Sequence, residues 1–227
     1  MMKKVLVTGA NRGIGKEICQ QLLSLGHFVI ACGRDLGKLK SAFPQETNNI
    51  FLQVLDVNNE ESVSEAAKKL QVKFSKIDVV INNAGIGVGN SDLDDVDIEE
   101  VKQIFETNFV GPMRVNKYLL PLLKKAIEGR IINISSGMGE LDNLTSGYAG
   151  YRLSKAGLNA QTILLANELK GYGIKVNAMC PGWVKTDMGG SEAPNPVAQG
   201  ADTAVFLALE EKIETGLFFR NRTPIKW

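Results

Sequence analysis

Apolar and polar positions alternate along this chain in two periods. Short, mainly apolar runs recur at residues 5–7, 28–32, 50–55, 77–82, 130–135 and 174–179. They are rich in Val and Ile and stop at or just before Gly, Asp, Asn, Ser or Pro, as buried strands do. Between them the spacing changes. Ile14, Ile18, Leu22 and Leu25 share one helical face, as do Val63, Ala66, Ala67 and Leu70. Helices are predicted from near Gly13, at 36–43 ahead of Pro44, and at 62–74, 148–170 and 203–209. A long helical stretch at 98–125 is expected to kink or break near Gly111-Pro112 and Pro121. Residues 191–200, rich in Pro, Asn and Gly, predict a mobile loop, and 216–219 a last strand. Regular alternation of strand and helix implies an α/β fold, with a parallel sheet of about seven strands and helices on both faces. Right-handed crossovers then put the first strand in the middle of that sheet. No repeat, linker or composition shift divides the chain, so residues 1–227 read as one domain.

The first strand runs into a glycine-rich turn, Thr8-Gly9-Ala10-Asn11-Arg12-Gly13-Ile14-Gly15, which opens the first helix. Strand, glycine turn and helix place unpaired backbone N–H groups at a positive helix end, where phosphate can bind. A nucleoside-triphosphate loop would need Gly and Ser or Thr where Ala10 and Glu17 stand, so that reading fails. The glycines are spaced G-x-x-x-G-x-G, wider than the G-x-G-x-x-G dinucleotide fingerprint, with the same phosphate-binding logic. A doubly wound Rossmann-type domain with its ligand at the carboxyl edge is the fold expected.

Composition narrows the partners. A formal charge of +1 with no basic block excludes nucleic acid or an anionic membrane as the main partner. Met1-Met2-Lys3-Lys4 runs straight into the first strand without a signal-peptide apolar region, which predicts a cytoplasmic address. Cys19, Cys32 and Cys180 form no C-x-x-C pair and read as reduced structural thiols; no metal site is expected. His27, the single histidine, falls on the loop feeding the second strand and is expected to be exposed.

The chemistry lies in the second half. Tyr151 and Lys155 stand at i and i+4 of a predicted helix and share a face. A phenol of pKa about 10 is a poor catalyst at neutral pH, and an adjacent ammonium lowers that value. Y-x-x-x-K also recurs by chance on amphipathic helices. Tyr148 competes, but its i+4 partner is Arg152, a permanent cation that cannot shuttle protons. Ser135 and Ser136 end the fifth strand at the same sheet edge as the glycine turn. With no histidine nearby and no G-x-S-x-G elbow, a hydroxyl donor to a carbonyl fits better than a nucleophile.

These pieces together resemble the short-chain dehydrogenase/reductase family along nearly the whole chain. The matching residues are Thr8-Gly9-x-x-x-Gly13-x-Gly15, Asp56 after the third strand and Asn82-Asn83-Ala84-Gly85 after the fourth. Asn108, Ser136, Tyr151-x-x-x-Lys155 and Pro181-Gly182 with Thr186 follow in order. The resemblance implies hydride transfer between a nicotinamide and a carbonyl or alcohol carbon. By matching position, Tyr151 would be the general acid, and Lys155 would lower its pKa and hold the nicotinamide ribose. Ser136 would donate to the carbonyl, and Asn108 would support a water-mediated proton path. The cofactor would be lined by Gly9, Asn11, Arg12, Gly13, Ile14 and Gly15, by Asp56 and Val57 at the adenine, and by Asn83, Ala84 and Gly85. Thr186 and the backbone near Val184 would hold the carboxamide, and Pro181 and Gly182 would also bind the cofactor. The segment from Ser136 to Tyr151 is about two residues longer than the commonest family spacing, which bears on the choice between Ser135 and Ser136. Strand alternation puts the two on opposite faces, and the second matches the family.

An acid ending the second strand would select NAD; this chain has Gly33 there, then Arg34, with Arg12 in the glycine turn. Two guanidiniums suit the 2′-phosphate of NADP(H), which is expected over NAD(H). Asp35 is expected to cap the next helix. Met138, Leu141, Leu144, Trp183 and Met188 are candidates for an apolar substrate pocket, with 191–200 as its lid; core packing explains Leu141 and Leu144 equally well. The stretch from Cys180 to Met188 and Trp227 look most like carbonyl-reductase-type members, implying reduction of aldehydes, ketones or quinones. Alternatives are a dehydrogenase of a particular secondary alcohol, sugar or acyl-carrier ketone, and a non-catalytic dinucleotide sensor. The small residues Ala149, Gly150, Ala156, Gly157 and Ala160 suggest a helix that pairs with a second subunit, as a homodimer or homotetramer.

Overall fold

The computed structural model describes residues 1–44, 48–87, 89 and 93–227. Strands β1 (Lys4–Val7), β2 (Phe28–Gly33), β3 (Ile50–Val54), β4 (Val79–Asn82), β5 (Arg130–Ile134), β6 (Lys175–Met179), β7 (Phe218–Arg220) and β8 (Thr223–Ile225) form one sheet. Its order is β3-β2-β1-β4-β5-β6-β7-β8, with β1 central. Seven strands run parallel, as expected. The eighth is antiparallel, pairing Phe218 with Ile225 and Arg220 with Thr223. The hydrophobic pattern does not reveal β8, because it is three residues long and carries Pro224, which only an edge strand tolerates. Asn221 and Arg222, both at positive φ, make the two-residue turn that joins it to β7.

Strand alternation divides the core. Val5 and Val7 pack on one face with Ile18 and Leu22 of α1 (Gly13–Ser24) and Ala201, Ala204 and Leu207 of α7 (Val197–Leu209). Leu39 of the short α2 (Leu36–Ala42) joins that face. Leu6 points the other way, with Val63 and Leu70 of α3 (Glu60–Lys73) and Val115 and Leu119 of α5 (Gly111–Leu123). The last turn of α6 (Ala149–Glu168) adds Ala166 to this second face. Crossovers on both sides of a parallel sheet bury strands on both faces, hence their continuous apolar runs.

Several boundaries differ from expectation. The stretch at 98–125 is α4 (Ile98–Phe105), a π-helical turn (Glu106–Val110) and α5. Gly111 opens α5 beside Val57, and Pro121 lies inside it near its end. The last helix starts at Val197, so residues 197–200 belong to it and not to the loop expected at 191–200. Tyr148 stands just outside α6 at φ 54. His27 is half-buried, its Nδ1 accepting from the Lys3 N–H at 3.2 Å. Gly150 faces Val101 and Ile104, and Gly157 faces Phe109, so two of the small residues of α6 are used in packing within the chain. Among the described residues no helix is long and apolar enough to cross a membrane.

Candidate active site

The carboxyl ends of β1, β4, β5 and β6 open on one cleft of about 1890 Å³. That exceeds the ~300–1,000 Å³ of an ordinary small-ligand pocket and suits a dinucleotide with a second reactant beside it. Gly9, Asn11, Arg12, Gly13, Ile14, Gly15, Arg34, Asp56, Val57, Asn83, Ala84 and Gly85 line it. Ser136, Tyr151, Lys155, Pro181, Gly182, Val184 and Thr186 line it as well. Of the expected catalytic and cofactor residues, Asn108 alone stands behind the wall, fully buried.

The glycine turn is strapped to the end of β4. The Thr8 hydroxyl accepts from the N–H groups of Asn83 and Ala84, both at 3.0 Å, and Asn83 Nδ2 returns a bond to the Thr8 carbonyl at 2.8 Å. Gly9 lies at φ 64 against Ala84, and a Cβ on Gly15 would collide with Asn83 Nδ2 and the Gly9 carbonyl. The close approach explains both glycines and leaves the helix end facing the cleft.

Across the cleft, Ser135 and Ser136 part as strand alternation requires. Ser135 is buried, its hydroxyl donating to Asn159 Oδ1 at 2.6 Å. Ser136 turns to the cleft, where its Oγ accepts from the Met138 N–H at 3.1 Å and the hydroxyl proton is left for another acceptor. Lys155, 5% exposed, donates to the Ile134 carbonyl at 2.8 Å and sits 5.7 Å from the Tyr151 ring centroid. Burial pulls its pKa down to about 8. Tyr151 differs from expectation: desolvation raises its pKa, and the Ser136 hydroxyl, not Lys155, is the neighbour that opposes the rise. The reason is geometric, because the ammonium is turned to Ile134.

Asn108 occupies the π-helical turn, an insertion that recurs at functional sites. Its amide exchanges two bonds with Ile86, at 2.9 and 2.8 Å, and donates to Ser154 at 3.1 Å. Gly85 separates Asn108 from the Lys155 ammonium; a Cβ there would lie 3.2 Å from the one and 3.7 Å from the other.

The loop after β6 returns over the glycine turn. Asp187 pairs with Arg12, and Gly13 approaches the Thr186 methyl. The Thr186 hydroxyl accepts from the Gly189 N–H at 3.0 Å. Arg34 lines the opposite end, beside Asp35, whose carboxylate caps α2 by accepting from the Lys38 N–H at 3.1 Å. Lys38 lines the cleft here, a third cation that sequence reading passed over because its place depends on the turn of α2. Met138, Trp183 and Met188 line the substrate end, joined by Tyr148, Cys180 and Arg220. Leu141 and Leu144 are 64% and 41% exposed and lie outside both cleft and core, because residues 141–143 form a surface turn. The three cysteines are free and buried. Among the described residues no cluster of three or more His, Cys, Asp or Glu is placed to hold a metal ion.

A family model described as short chain dehydrogenase matches residues 3–196. (+)-Neomenthol dehydrogenase of Arabidopsis thaliana is 32% identical over 96% of this chain and 95% of that protein. NADPH-bound carbonyl reductase from chicken fatty liver superposes with a TM-score of 0.88 at 32% identity, covering 100% of this chain and 99% of that one. Carbonyl reductase Sniffer of D. melanogaster does so with a TM-score of 0.90 at 30% identity, over 100% of both chains. The chain belongs to the short-chain dehydrogenase/reductase family of oxidoreductases.

Proposed function

We propose that this protein reduces a small aldehyde, ketone or quinone to the alcohol, using NADPH. The observation that carries the reading is the convergence of Ser136, Tyr151 and Lys155 on a cleft whose far end is the glycine turn. The cofactor fits the residues present. The close-packed Gly9 and Gly15 leave the helix end open to a pyrophosphate, and Arg34 and Lys38 offer cations to a 2′-phosphate, whereas Arg12, expected to join them, pairs with Asp187. NADPH, when bound, supplies the hydride.

The protein supplies the proton and the field. Tyr151, held protonated by its buried setting, donates to the developing alkoxide. Ser136 donates to the same oxygen and stabilises its charge as it forms. Lys155, near 8 and therefore mostly charged at neutral pH, holds ribose hydroxyls and returns a proton to Tyr151, drawn from the Asn108 side. Asp56 and Val57 border the adenine end, and Pro181, Gly182, Val184 and Thr186 the carboxamide end. The carbonyl reductases of chicken and fly lend support through their names, the first with NADPH bound. Cytoplasmic residence and assembly into a homodimer or homotetramer, with the whole chain acting as one domain, complete the reading.

The test is a carbonyl panel containing 4-nitrobenzaldehyde, a cyclic monoterpene ketone and an ortho-quinone, scored by loss of NADPH absorbance. Turnover that disappears in Tyr151→Phe is expected; binding of NADPH with no turnover on any carbonyl would overturn the assignment. For the cofactor, Arg34→Asp should weaken NADPH by at least about tenfold while leaving NADH nearly unchanged. Equal losses for both would remove Arg34 from the 2′-phosphate site.

A further inference from the structure

Arg220 ends β7 and reaches into the cleft beside Ser136, Gly137 and Cys180. Its guanidinium pairs with Glu140, whose side chain is 10% exposed and whose second oxygen accepts from Asn143 Nδ2 at 2.6 Å. Glu140 closes the turn that begins at Ser136. There the Gly139 N–H donates to the Ser136 carbonyl at 3.0 Å, and the Glu140 N–H to the Gly137 carbonyl at 3.2 Å. The arginine lies directly over this turn, since a Cβ on Gly137 would collide with it. From the other side Cys180 Sγ accepts from the Gly137 N–H at 3.1 Å, and the Cys180 N–H donates to the Phe219 carbonyl at 2.8 Å. The turn carrying Ser136 is therefore tied to the end of β7 by one ion pair and one sulfur contact.

The site keeps a charge against its cost. Burial disfavours the Arg220 cation, yet Cys180 and Glu140 more than offset this and hold its pKa above the ordinary value. Its Nε is buried and has no partner among the described residues. A buried donor left unpaired is unfavourable, a cost set against the Glu140 pair. The Ser136 Oγ takes its place from the Met138 N–H, within the turn that Arg220 holds. Displacing such a group by about 1 Å costs on the order of 100-fold in rate.

We propose that Arg220 is a positioning residue for carbonyl reduction, which clamps the turn through Glu140 and so aims the Ser136 hydroxyl. The inference rests on the assignment of Ser136 as donor to the carbonyl. The test uses the full chain with NADPH and 4-nitrobenzaldehyde, and compares Arg220→Ala, Arg220→Lys and Glu140→Gln, each alone and with Ser136→Ala. Arg220→Ala is expected to lower kcat about 30-fold with the NADPH Kd within about twofold. Arg220→Lys, which can keep a single contact to Glu140, should recover most of the loss. With Ser136→Ala already present, Arg220→Ala should cost less than about twofold more. Equal losses in both backgrounds, or an unchanged kcat in the single variant, would overturn the clamp. Should Arg220→Ala fail to fold, Glu140→Gln carries the same comparison without changing shape. A silent Ser136→Ala would instead sink the assignment of Ser136, and the clamp with it; a damaging Ser136→Ala beside a silent Arg220→Ala would sink the clamp alone.

Discussion

The two edges of the sheet treat buried charge in opposite ways. At the amino edge, the strand starts bring Lys4, Asp78, Arg130 and Lys175 together. Arg130, 1% exposed, bonds Glu128 at 2.6 Å and the Leu207 carbonyl at 2.8 Å, and Lys175 bonds the same Glu128 at 2.7 Å. Asp78 accepts from Lys76 at 2.6 Å and from the Lys4 N–H at 2.8 Å. With Lys175 and Arg130 around it, the Glu128 carboxyl falls to about 2. At the carboxyl edge, Lys155 is as deeply placed, but its partner is a neutral carbonyl and its pKa falls to about 8. Pairing turns a buried charge into a staple; withholding the partner leaves a group poised to exchange protons.

Four variants and one pH profile can break or sharpen that contrast. Tyr151→Phe at the carboxyl edge should lower kcat about 10³-fold while shifting the Tm by no more than a few degrees. Arg130→Met at the amino edge should do the reverse, leaving kcat per folded molecule unchanged. It strips the buried Leu207 carbonyl and Glu128 of a donor, at about 2 kcal/mol or roughly 4–8 °C in Tm by thermal melting. Lys155→Met should abolish most turnover yet raise stability at pH 7 by about 1–2 kcal/mol. The sign follows from its folded pKa lying below its ordinary 10.5: the folded state carries the cost of the charge at pH 7 and sheds it as pH rises from about 8 to 10.5. The wild-type reduction rate should accordingly fall as pH rises through about 8. A Lys155→Met protein that melts lower than wild type would contradict the contrast.

The smallest effect belongs to Glu128, which is partly open to solvent. Its folded pKa lies below the ordinary 4.5, so its contribution is complete above about 4.5 and is lost as pH falls towards 2. Screening reduces that contribution to roughly 1 kcal/mol, so Glu128→Gln should lower the Tm by about 2–4 °C at pH 7 and by less near pH 2. Melting curves at the two pH values measure it.

The parallel sheet was legible because β1, β2, β4, β5 and β6 are buried on both faces, which leaves apolar runs that nothing else explains. Site motifs were legible for a related reason: each lies at a strand end or keeps a helical period, so sequence distance maps onto one sheet edge. β8 was not, since three residues with a proline carry no period. Nor was the start of α7 at Val197, where a helix follows Pro196 and composition reads as loop. Leu141 and Leu144 misled because hydrophobic character does not say which way a surface turn faces.

What the sequence determined by itself was the chemistry available: which hydroxyls, which lysine and which glycines stand at which strand ends. Those follow from local periodicity, which depends on residues a few positions apart. Only the tertiary structure decided what surrounds each group. That Lys155 faces a carbonyl, that Arg12 meets Asp187 and that Arg220 lies over the Ser136 turn depend on contacts between segments 21 to 175 residues apart. Burial and partner set a pKa and an orientation, and neither is a property of a residue's neighbours in the chain.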